Sequence, residues 1–172
     1  VPSGTVRWQE WTSTSLAYMF SNNIVFRDAS IEAVDADART HAVSLQQTIR
    51  VPCTHLTVTP YVRYAWVESD GSEFRHEALS AGIKVRHPLV CGVEAEAGFD
   101  YTRSWYEERS IFSGDFSEDR DDEVYGVSAR VERRFGDNVT VFLEGSWDSH
   151  DSDVTFYDYQ RNIYSLGVEL GF

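Results

Sequence analysis

From residue 38 onward, apolar and polar positions alternate with a period of two, in segments separated by turns of two unequal kinds. This pattern predicts antiparallel strands. Val93, Ala95, Ala97, Phe99 and Tyr101 make a continuous apolar face, and Gly92, Glu94, Glu96, Gly98 and Asp100 make the other. The same division sets Leu79, Ala81, Ile83 and Val85 against Ser80, Gly82, Lys84 and Arg86, and Tyr125, Val127, Ala129 and Val131 against Gly126, Ser128, Arg130 and Glu132. In the final segment Tyr164, Leu166, Val168, Leu170 and Phe172 alternate with Ser165, Gly167, Glu169 and Gly171. Less regular strands are predicted over residues 40–51, 55–67 and 138–147. Gln47 interrupts an apolar face, and Pro60 lacks a ladder donor, so a bulge or local break is expected there.

Short connections fall near Pro52-Cys53-Thr54, His87-Pro88-Leu89 and Phe135-Gly136-Asp137-Asn138, with long polar ones over residues 68–72, 107–122 and 148–161. Short turns at one end and long loops at the other are the arrangement of outer-membrane barrels. Phe20-Ser21-Asn22-Asn23 followed by Ile24-Val25-Phe26 is similar to Phe135-Gly136-Asp137-Asn138 followed by Val139-Thr140-Val141. On that similarity residues 20–23 are expected to be a turn between strands at 5–19 and 24–34, with 35–39 leading to the next strand. The total is nine, whereas single-chain bacterial barrels have even numbers. Either residues 1–23 form a non-spanning arm rather than an extra strand, or a strand is missing or supplied by a partner. The expected fold is therefore all-β, an antiparallel up-and-down transmembrane β-barrel of about 8–10 strands in a single domain over residues 1–172.

Alternation is symmetric between an apolar face turned out to lipid and one turned into a soluble calyx. Four features favour lipid. Glycine and serine collect on the charged face, as a crowded narrow interior requires. That face carries both signs, with Lys84, Arg86 and Arg130 beside Glu94, Glu96, Glu132, Glu144 and Glu169, which is enough for an internal salt-bridge network. Aromatic residues recur near the ends of the apolar stripes, at Tyr64, Trp66, Tyr101, Tyr125, Trp147, Tyr164 and Phe172, as interfacial girdles do. Finally, the last apolar stripe ends on Phe172, and Tyr164-Ser-Leu-Gly-Val-Glu-Leu-Gly-Phe172 resembles the C-terminal strand of Gram-negative outer-membrane β-barrel proteins. The resemblance implies that the barrel-assembly machinery reads Tyr164, Leu166, Val168, Leu170 and Phe172.

Hydrophobic residues are 42% of the chain and charged ones 25%. The longest uncharged stretch, residues 11–26, is broken by Thr, Ser and Asn and falls short of the roughly 18 apolar residues of a membrane helix. A net charge of −13 argues against nucleic acid, which selects basic stripes. Val1-Pro2-Ser3-Gly4 lacks the features of an export signal, which is expected to have been removed or to lie elsewhere. Cys53 and Cys91 permit one disulfide at the short-turn end or two thiols, and a bond requires those turns to approach.

For chemistry, His150 lies among serines and carboxylates in residues 146–153, and His41 with Ser44 and His76 with Ser80 are weaker pairs. Sequence adjacency does not make a triad, whose members converge in space, so no catalytic residue is assigned. Asp115, Glu118, Asp119, Asp121, Asp122 and Glu123, or Asp148, Asp151 and Asp153, offer oxygens of the kind Ca²⁺ takes, but at no calcium-loop spacing. Solvated acidic loops are the expectation, with no metal and no cofactor. The expected function is an integral outer-membrane barrel, structural or interacting through exposed acidic loops, as a subunit of a larger envelope assembly. A narrow channel or solute-specific pore, a lipid-modifying barrel enzyme and a soluble calyx for an apolar small molecule are the alternatives. Outer-membrane lipid, lipopolysaccharide and an envelope protein are the expected partners, with short turns periplasmic and long loops extracellular.

Overall fold

Nine antiparallel strands follow one another in chain order across a single sheet in the computed structural model, which describes residues 2–24, 37–108, 110, 120–136 and 138–171. They are β1 (Ser3–Gln9), β2 (Thr12–Asn23), β3 (Ala38–Arg50), β4 (Thr57–Ser69), β5 (His76–Pro88), β6 (Val93–Tyr106), β7 (Asp121–Phe135), β8 (Val139–Ser152) and β9 (Tyr159–Leu170). The topology is an all-β, up-and-down meander, as the period-two pattern requires. Among the described residues the ladders leave β1 and β9 as margins and do not pair them with each other.

The start of the chain differs from expectation. Residues 5–19 do not make one strand but the hairpin β1–β2, which reverses at Glu10 and Trp11, and Phe20–Asn23 extends β2 instead of turning. Leu16, Tyr18 and Phe20 stay in phase opposite Leu45, Val43 and His41, and unbroken pairing with β3 outweighs the turn tendency of Ser-Asn-Asn. The strand expected at 24–34 lies outside the described residues except for Ile24. Nine strands are therefore observed with a different division of the first 35 residues. At Pro60, pairing to β3 lapses at Gln47 and Thr48 and resumes at Ile49↔Val58 in the same register, while Pro60↔Ile83 holds on the other side. That is the local break expected of a residue without an N–H.

Register fixes the two faces. Leu16, Leu45, Val62, Ala81, Tyr101 and Tyr125 lie in one row across six strands. This face is the exposed one: Ile83, Phe99, Val131 and Leu143 are open, as are Val127 at 46% and Leu166 at 79%. The buried hydrophobic residues among those described are only Ala42, Ala65, Ala78 and Val154. Three of these form a row on the opposite face that continues through Ser104, Asp122 and Ser152.

The enclosed side of the sheet is thus the polar one, and its glycines are sites of close approach. A Cβ on Gly82 would lie 2.5 Å from the Tyr61 ring, one on Gly126 2.5 Å from the Asp100 carboxylate, and one on Gly167 2.5 Å from the Phe142 ring. Neighbouring side chains lie across the strand where glycine leaves room, so small residues and long polar ones share a confined face.

Candidate functional site

Two features stand on the polar face: a charged cleft toward the short-turn end and a buried cluster beneath the long loops. In the cleft, strand pairing places Arg86 opposite Glu96 and Arg130 opposite both Glu96 and Glu144. The Lys84 ammonium is 3.0 Å from Glu96, and Arg86 reaches Glu94 at 3.2 Å and Glu96 at 2.6 Å. Arg130 contacts Glu132 at 2.9 Å, Glu144 at 3.3 Å and Glu169 at 2.7 Å. The eight residues singled out from the sequence as a charge network therefore form two linked groups on one face. Both border a small space of about 190 Å³ between Arg86 and Arg130.

Beside it lies a larger polar cavity of about 680 Å³ whose walls come from β3 to β7 and include Thr48, Arg50, Thr59, Tyr61, Lys84 and Asp100.

The long-loop end is built around Arg120, a residue the sequence reading did not single out. Its guanidinium lies between the rings of Tyr106 and Tyr157, 3.9 and 3.4 Å from their centroids. Its Nε donates to Asp122 at 3.0 Å, a second nitrogen donates to the same carboxylate, and Glu73 lies 3.6 Å away. Glu73 also accepts from the Ser110 hydroxyl and from Tyr157 Oη at 2.6 Å. The β4–β5, β6–β7 and β8–β9 connections are thereby tied together over the polar face. Arg120 is 4% exposed. Burial alone would pull its guanidinium pKa down, but the bonds to Asp122 and the facing tyrosines raise it, so the charge is held. Burial, reinforced by the bond to Glu73, pushes the Tyr157 phenol up to about 12.

Several residues weighed as metal ligands are engaged otherwise, one of them in this cluster. Asp122 is occupied by Arg120 and by Ser152, with His150 Nε2 3.1 Å away. Asp121 pairs with Arg103 at 2.7 Å, Glu123 accepts from Tyr125, and Asp148 pairs with Arg161 at 2.7 Å. Among the described residues no three His, Cys, Asp or Glu side chains group as a metal site. Asp115, Glu118 and Asp119 lie outside the described residues.

His150 faces Asp122, and the nearby Ser152 hydroxyl donates to that same carboxylate rather than to the imidazole. His41 bonds Tyr18 on the apolar face, whereas Ser44 is on the polar one. His76 is engaged by the Phe74 carbonyl at 2.8 Å, and Ser80 accepts from Thr102.

Cys53 and Cys91 are exposed, unbonded thiols, not a disulfide. They occupy left-handed turn positions, with φ of 67° and 57°. Their turns are separated by β4 and β5, about 10 Å of sheet at the usual strand spacing, beyond the reach of a disulfide. Of the residues the C-terminal resemblance implies as an assembly signal, Tyr164, Leu166, Val168 and Leu170 project together from the exposed face of β9, and Phe172 lies outside the described residues.

A protein-family model described as "Protein of unknown function (DUF2860)" matches residues 8–170. No curated protein and no solved structure matches the chain.

Proposed function

We propose that this chain, which belongs to the DUF2860 family, is an integral outer-membrane β-barrel protein whose apolar face meets lipid and whose long acidic loops interact outside the cell. The observation that carries this reading is the inverted burial: large apolar side chains are exposed while small residues and the charges of Glu73, Arg120 and Asp122 are enclosed. Water does not sustain that arrangement. The chain's accessible surface is 11721 Å², against about 8,600 Å² for a compact soluble protein of this mass. Large apolar side chains from Val6 to Leu170 contribute to that excess of about 3,000 Å², and roughly each 100 Å² of apolar surface left in water forgoes about 2.5 kcal/mol. Hydrocarbon around the stripe removes the deficit.

Strand length agrees. The strands β3 to β8 have 13 to 15 residues each, about 43 to 50 Å when extended, and at a tilt of about 40° they exceed the roughly 25 Å apolar band of such barrels. Because hydrocarbon cannot satisfy exposed backbone groups, this reading requires the β1 and β9 margins to be covered, by further strand or by an envelope partner. An apolar-ligand calyx would need the opposite inversion of faces. General diffusion is disfavoured by the ion pairs and by the loop cluster over Arg120. A solute-specific passage is the second reading, favoured by the polar cavity.

The test is extraction. Lipid contact predicts recovery in the detergent-requiring outer-membrane fraction and migration on gels that changes on heating. A chain that remains monodisperse in buffer alone, with no heat-dependent shift, would overturn the proposal.

A further inference from the structure

Charge on the polar face is divided by strand. Its inward positions on β1 to β5 hold Arg7, Arg50, Arg63, Lys84 and Arg86 and no carboxylate. On β6 to β9 the same face holds Glu94, Glu96, Asp100, Asp122, Glu132, Glu144, Asp148 and Glu169, against Arg130, Arg134 and Arg161. A field therefore runs across the cleft, from a wholly cationic side to a mostly anionic one. Where the sides meet, at β5 and β6, Lys84 and Arg86 are neutralised by Glu96 and Glu94.

Two charges bordering the larger cavity have no such partner. Arg50 on β3 and Asp100 on β6 both line it, and neither forms an ion pair among the described residues. They lie three strand spacings apart, about 14 Å across the sheet, and Asp100 is in register with Gln46, four residues from Arg50, which adds about 13 Å along the strands. Their backbones are thus about 19 Å apart, less the reach of the Arg50 side chain. Between them are Tyr61, whose ring covers Gly82, the hydroxyls of Thr48, Thr57 and Thr59, and the charges of Lys84, Arg86 and Glu96, which are paired with one another. A singly charged solute would satisfy one group and leave the other unpaired. A solute carrying both signs satisfies both and lies along the field.

We infer that this cleft binds small zwitterionic solutes, with the anionic group at Arg50 and the cationic group at Asp100. The inference deepens the outer-membrane reading and rests on it only for the compartment that supplies the solute. The test is calorimetric titration of the full chain in nonionic detergent with 6-aminohexanoate, and with hexanoate and hexylammonium as probes of single charge. The zwitterion should bind about tenfold tighter than either, as one added charge-assisted contact implies. D100N should reduce it to the level of hexanoate and R50Q to that of hexylammonium, with heat-dependent gel migration retained.

Equal affinity for all three probes, no binding of any, or indifference to both substitutions would overturn the inference. The comparison of probes on the unaltered chain decides the matter even where a variant does not fold. Absence of binding by a detergent-requiring, heat-modifiable protein removes this inference alone, whereas binding by a chain that needs no detergent removes only the membrane reading.

Discussion

Replacing Val127 by arginine distinguishes hydrocarbon from water at the centre of the apolar stripe. Val127 is the seventh residue of the fifteen in β7, with Phe99 and Trp147 beside it in the row and 46% of its surface exposed. In water, a long cation at so open a position changes stability by no more than about 0.5 kcal/mol beyond the modest packing that valine itself provides. At the midplane of a bilayer the cost is about 2–4 kcal/mol, falling to about 0–1 near the interface. Phe135, exposed on the same face at the short-turn end of β7, supplies the interfacial comparison. The V127R penalty should exceed that of F135R by about 2–3 kcal/mol, a ratio of roughly 30 to 150 in the unfolding constant. Guanidinium unfolding of protein reconstituted in phosphatidylcholine vesicles, followed by tryptophan fluorescence, measures both. Penalties equal within about 0.5 kcal/mol would refute lipid contact at Val127.

Removing the charge in R120Q takes the guanidinium from the buried Asp122 carboxylate and should cost about 3–5 kcal/mol in the same assay; a loss below about 1 kcal/mol would show the cluster to be solvated. In G82A the new methyl would meet both the Tyr61 ring and the Phe99 carbonyl oxygen, at 2.5 and 2.7 Å, so destabilisation of about 1–3 kcal/mol is expected. Y61A should relieve only part of it, because the backbone clash remains; full relief would contradict that geometry. Tyr157, raised to about 12, keeps its proton in the folded protein after an unfolded tyrosine, near 10, has lost it. Its contribution is thus complete below pH 10 and lost as pH rises toward 12. Absorbance at 295 nm should show a late phenolate step that Y157F abolishes, and a titration unchanged by Y157F would contradict the assignment.

Most of the strand architecture is legible because β5, β6, β7 and β9 alternate apolar and polar over long runs, while β3, β4 and β8 keep enough of the same period to be located despite interruptions such as Gln47. The hairpin at Glu10 and Trp11 was missed for a physical reason: neither residue is among the glycine and asparagine types that mark tight reversals. The charge pairs of Lys84, Arg86 and Arg130 follow from alternation, since cross-strand neighbours on a polar face meet whatever the register in detail. The Arg120 cluster does not, because Glu73 and Tyr157 come from separate loops 84 residues apart and converge only after the sheet curls. A lone arginine within an acidic run was its one sequence signal, and it gave no indication of the two tyrosines.

The assignment of outside and inside is tested most directly by nitroxide labels at Val127 and Ser128, adjacent residues that face opposite ways, in vesicle-reconstituted protein. Lipid contact predicts relaxation by oxygen and shielding from a water-soluble nickel complex at 127, with the reverse at 128. Access of the nickel complex to position 127, equal to or greater than that at 128, would contradict the membrane-facing assignment of the apolar stripe.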